Sequence, residues 1–130
     1  MKNRLLAVAA LAEALTGLLL FIYPPLVIKL LFGRDIAGVG LLVSRFAGIT
    51  LIALGIACWP CATVASALYG MLTYSALVTL GLLYVAITGE GTGVFLWPAV
   101  LLHALLAVLL TRSWFEERAR TGERKSKASE

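Results

Sequence analysis

Three ionisable residues interrupt long apolar runs in this chain: Glu13, Arg45 and His103. Each falls near the middle of a stretch that could cross a bilayer. A charge at that depth is expensive, so it normally pairs, faces the interior of a bundle and marks a site. Arginine offers a planar fork that suits a carboxylate. Histidine can carry a proton or bind a ligand head group. These residue types predict one interior cluster. Glu13 and Arg45 form its ion pair, and His103 with Tyr74 or Tyr69 completes the hydrogen bonds. Such a cluster either holds a ligand, a proton or a quinone, or only fixes which helix packs on which. A third arrangement sends Arg45 to the surface and leaves Glu13 protonated.

A second chemistry is written in Cys58-Trp59-Pro60-Cys61. The spacing is that of a redox pair, and Cys61 would open a helix whose dipole favours its thiolate. Two cysteines do not make a relay, however, and the turn is expected on the reducing, cytoplasmic side. A plain tight turn competes with the redox role.

Other sites are not supported. One histidine, with the cysteines expected at a different depth, makes no metal set. The segment Thr88-Gly89-Glu90-Gly91-Thr92-Gly93 has an acid and no lysine, so it cradles phosphate poorly. The net charge of +4 resides mostly at the ends, and no aromatics follow Phe115, which argues against nucleic acid.

The elements that must position these residues follow from composition. Hydrophobic residues make up 61% of the 130 and the mean hydropathy is +0.96. A single core in water cannot hide that much apolar surface. The predicted fold is all-α: an integral membrane four-helix bundle over 1–114, with spans at 5–23, 38–57, 62–87 and 94–112. About 20 apolar residues suffice for each. Pro24-Pro25 stops the first span. Residues 26–32 are too short to cross and read as an interfacial helix with Lys29 reaching water. Thr88–Gly93 reads as a flexible turn, and 115–130 as a basic, disordered cytoplasmic tail. Glu13 argues against reading the first span as a signal peptide.

Helix rise of about 1.5 Å per residue puts Glu13 roughly 12 Å from one edge and His103 roughly 14 Å from the other. Arg45 lies roughly 8–11 Å below that second edge. Small residues predict close helix approach: Gly48 and Gly55 on a face shared with Arg45, and Ala62, Ser66 and Gly70 along the third span. Basic residues Lys2 and Arg4, with Arg112, Arg118, Arg120, Arg124, Lys125 and Lys127, place both termini in the cytoplasm. Trp59 and Trp114 then mark the inner interface, and Tyr23, Tyr84 and Trp97 the outer one.

The first span ending in Tyr23-Pro24-Pro25, the stretch Arg45-Phe46-Ala47-Gly48…Gly55 and the late His103 give a layout that resembles the DoxX-like group of small four-helix bacterial and archaeal membrane proteins. That resemblance implies a cytoplasmic-membrane location and an accessory role beside quinol-linked oxidases or redox maturation. It carries over no catalytic residue. The expected function is a non-enzymatic accessory or ligand-binding membrane subunit built around Glu13, Arg45 and His103. No cofactor is expected, with a quinone or lipid left open as ligand. Partners are the lipid bilayer and a larger membrane complex or a homo-oligomer. The rivals are a membrane thiol oxidoreductase using Cys58 and Cys61, and an oligomeric small-molecule transporter.

Overall fold

The computed structural model describes residues 2–60 and 64–128, with side chains at 3–60, 65–116 and 118–119. Among the described residues there are five helices and no strand. They are α1 (Lys2–Ile22), α2 (Pro24–Phe32), α3 (Val39–Ala57), α4 (Val64–Thr88) and α5 (Leu96–Ala128). Four of them, all but α2, are long and apolar enough to cross a membrane.

Pro24 and Pro25 do more than stop α1. They open α2, where proline's missing N–H costs nothing and its fixed φ suits the first turn. The helix closes on Gly33 at φ 71°, whose N–H donates to the Lys29 carbonyl at 2.9 Å. This left-handed cap strongly favours glycine. Lys29 projects to the exterior as expected and meets Asp35 at 3.0 Å.

Two antiparallel pairs make up the molecule. The first is α1 with α3, and the second is α4 with α5. In the α1–α3 pair the backbones nearly touch. A Cβ added to Gly17 would lie 2.6 Å from the Gly48 carbonyl oxygen, and one on Gly48 would lie 2.6 Å from that of Gly17. Gly55 stands in the same relation to the Ala10 carbonyl oxygen, at 2.6 Å. Only glycine permits this approach, and close approach is how helices gain dispersion energy where lipid removes the hydrophobic driving force. The buried row on α3 is Ser44, Gly48 and Gly55. Arg45, one residue round the helix from Ser44, is exposed instead.

The α4–α5 pair packs through larger side chains. Leu68 and Met71 meet Leu106 and Leu110 at one end, where Leu6, Ala9 and Ala10 of α1 and Cys58 join them. Leu82 meets Leu96 and Val100 at the other end. The predicted row on α4 is not the packing row. Ala62 lies outside the described residues, Ser66 is exposed, and the buried positions are Ala67, Leu68, Met71, Ser75 and Leu82.

Two further expectations are corrected. The segment after α4 is not a free turn. Its Thr92 N–H donates to the Phe32 carbonyl and its Phe95 N–H to the Leu30 carbonyl, each at 2.9 Å. Carbonyls at the end of α2, which have no partner within their own helix, are thereby satisfied. Gly93 passes so close to the Leu30 and Leu31 backbone that no side chain fits there. The last helix also continues to Ala128 rather than ending in a disordered tail. The sequence from Glu116 on is rich in Glu, Arg, Lys and Ala, which propagate a helix well. Its first turn is steadied by Arg118, whose guanidinium lies 4.0 Å from the Trp114 ring centre.

Candidate functional site

Between the two apolar clusters lies a polar layer. Glu13 is at the middle of α1, Tyr74 and Ser75 are near the middle of α4, and His103 is on the second turn of α5. Glu13 is only 4% exposed. The Tyr74 hydroxyl donates to Glu13 Oε2 at 3.0 Å. His103 Nδ1 faces Glu13 Oε1 at 3.8 Å. The Tyr74 and His103 rings meet edge to face, with centres 5.9 Å apart and planes at 77°.

Each side chain is positioned by the helix that bears it. Glu13 lies one turn from buried Ala9 and Gly17, on the face of α1 that meets α4 and α5. Tyr74 lies one turn beyond Met71 and Gly70, and His103 lies between Val100 and Leu106. The carboxylate therefore comes from one helix pair and both its neighbours come from the other. A hydrogen bond to a charged group is worth about 1.5–3 kcal/mol.

The structure brings together three of the five predicted residues: Glu13, Tyr74 and His103. It does not bring in the other two. Arg45 is exposed on α3 and makes no hydrogen bond or ion pair with any described residue. The predicted Glu13–Arg45 pair is thus absent, because α3 turns Ser44 and not Arg45 toward α1. Tyr69 is 61% exposed. Five residues from Tyr74, it lies about 140° away around the helix.

Ser75 was not among the predicted residues. It is fully buried, and its Oγ has no hydrogen-bond partner among the described residues; nor does His103 Nδ1. Buried polar atoms are normally satisfied, so two orphans in one layer are informative. Ser75 belongs to the row Leu68, Met71, Ser75, Leu82, and that spacing was the available signal.

The cysteine turn looks different. Cys58 caps α3 and is packed into the apolar cluster with Ala67 and Leu68. Burial pushes its thiol pKa up, which disfavours the nucleophilic thiolate. Cys61 lies outside the described residues. No group of three His, Cys, Asp or Glu side chains suited to a metal ion occurs among the described residues.

A shallow groove of about 230 Å³ runs along α1 and α3, lined by Ala10, Leu11, Ala14, Gly55, Ile56 and Trp59. Its walls are apolar, and none of the polar-layer residues reaches it.

No family model, no curated protein and no solved structure matches this chain.

Proposed function

We propose that this chain is a multi-pass protein of a bacterial or archaeal cytoplasmic membrane, with both termini cytoplasmic. In this reading it is a non-enzymatic accessory or ligand-binding subunit of a larger membrane assembly, and Glu13, Tyr74 and His103 are its working centre. The likeness in layout to the DoxX-like group belongs to the same proposal.

Several observations support the membrane part. Residues such as Val8, Leu15, Leu42, Leu77, Ile87 and Leu105 are exposed on the flanks of the four long helices. Apolar exposure on that scale suits lipid and not water. Tyr23, Tyr84 and Trp97 lie exposed toward the α2 end, while Trp59 and Trp114 lie toward the other. Those are the positions of interfacial aromatic belts.

One observation carries the functional part. Glu13 is buried at mid-helix and hydrogen-bonded across the boundary between the two helix pairs. In lipid such a group is costly and is retained for a specific use. The test is native mass spectrometry of the protein released from mild detergent. The expected result is a bound small molecule or partner subunit with the wild type, lost in Glu13→Gln and in His103→Leu while both variants stay folded. A wild-type chain that flies alone and bare would contradict the reading.

A further inference from the structure

The polar layer holds one acid, Glu13, and no lysine or arginine. Around Glu13 the groups from each packed element can be named. From α4 comes Tyr74, uncharged as a hydroxyl, with buried Ser75 next to it in sequence, and from α5 comes His103. From α3 the only ionisable side chain is Arg45, which is exposed and has no ion pair with any described residue. From α2 the only one is Lys29, which is exposed and paired with Asp35 at 3.0 Å. Arg4 on α1 lies nine residues from Glu13, and Arg112 nine from His103. Nine residues of helix is about 13 Å, beyond the reach needed for a direct contact.

We propose that Glu13 and His103 together form a binding site for one proton, shared across the boundary between the two helix pairs. The inference rests on the membrane reading above and names the ligand of that centre. The proton comes from water and removes the single negative charge. In one form it sits on Glu13 Oε1, and the carboxyl O–H donates to His103 Nδ1. In the other it sits on Nδ1, and the imidazolium N–H donates to the carboxylate. The two forms contain the same atoms and the same net charge, so the titration belongs to the pair.

The geometry provides for this in three ways. The Tyr74 hydroxyl donates to Oε2, and Oε1 is the oxygen that faces the imidazole. The 3.8 Å gap between Oε1 and Nδ1 exceeds hydrogen-bond length, and a shared proton gives both atoms a reason to close it. His103 Nδ1 and Ser75 Oγ are both buried without partners among the described residues. The pair is also flanked by apolar clusters at either end, where an unneutralised carboxylate would be costly. With the proton bound, α1 is tied to α4 by Tyr74 and to α5 by His103. Without it the Tyr74 tie remains, beside the apolar contacts of Leu6, Ala9 and Ala10.

The test is infrared difference spectroscopy of the protein in lipid nanodiscs over a pH series, reading the carbonyl stretch of a protonated carboxylic acid and the ring modes of an imidazolium. The expected result is one titration, seen as an acid band, an imidazolium band or both, that vanishes as pH rises. Glu13→Gln removes the band. Should that variant not fold, Glu13→Asp retains the charge and moves the band in frequency. His103→Leu moves the midpoint by about one unit or more, because the proton loses its second holder. Arg45→Gln leaves it in place. The proposal is overturned if neither an acid band nor an imidazolium band titrates, if the titrating band survives Glu13→Gln unmoved, or if Arg45 and not His103 sets the midpoint. If a ligand co-purifies but no band titrates, this inference falls and the functional reading stands. If neither is seen, both fall.

Discussion

The two faces of α1 are built on opposite principles. Toward α3 it presents Ala10, Ala14 and Gly17, and the contact is backbone against backbone. Toward α4 and α5 it presents Leu6, Ala9 and Glu13, and the polar contact is a carboxylate against a phenol and an imidazole. The first interface is dense and has no ionisable side chain to rearrange around; its buried polar residue on α3 is the small Ser44. The second is sparse, and a hydrogen-bonded group carries much of its specificity. A helix that is rigidly held on one side and polar on the other can answer a change of charge without losing its fold.

Breaking the dense side should have the largest effect. Gly48→Leu drives a side chain into the Gly17 carbonyl and the Phe21 backbone. Overpacking of this kind costs about 1–3 kcal/mol or more. We expect a thermal midpoint in detergent well below the wild type, or no folded protein. Gly81→Ala is the matched control, since nothing lies within 4 Å of the added carbon. It should leave the midpoint unchanged or raise it slightly, because alanine favours helix over glycine by about 1 kcal/mol.

The polar side should respond less. Tyr74→Phe removes the donor to Glu13 Oε2 and keeps the ring against His103. Leaving a buried acceptor unmet costs about 1–3 kcal/mol, readable as a lower chemical-denaturation midpoint. An unchanged midpoint would mean that the Tyr74 bond does not couple the two pairs.

The smallest effects should come from groups outside both interfaces. Arg45→Gln removes no hydrogen bond or ion pair with any described residue and should not lower the chemical-denaturation midpoint. Cys58 should react slowly with a maleimide at neutral pH in the folded protein. Its raised thiol pKa lowers the thiolate fraction, so the rate should climb as pH rises through that pKa. Fast labelling at neutral pH would contradict its burial.

Much of this contrast is legible in the sequence, and the exceptions are instructive. Four long apolar runs and a mid-span glutamate announce the elements and the polar layer directly. Gly48 and Gly55 mark the face of α3 that meets α1. The sequence leaves one ambiguity on that helix. Both Ser44 and Arg45 lie about one turn before Gly48, and either can share its face. Charge complementarity suggests Arg45, but the backbones are too close there for a long side chain, and Ser44 fits. Tyr69 and Tyr74 pose the same question, which packing against Met71 and His103 settles in favour of Tyr74. The double proline reads equally as the end of one helix or the start of the next, and it serves as both. The docking of Gly93 onto α2 depends on a contact some sixty residues apart in the chain, which local patterns do not reveal.

A double-mutant cycle in lipid nanodiscs tests the central claim most directly, with unfolding free energy as the readout. Glu13→Gln is combined first with Tyr74→Phe and then with Arg45→Gln. The account predicts a coupling of about 0.5–3 kcal/mol for the first pair and none for the second, since contact is what makes mutations non-additive. Coupling to Arg45 with none to Tyr74 would restore the ion pair that the structure lacks and contradict the polar centre described here.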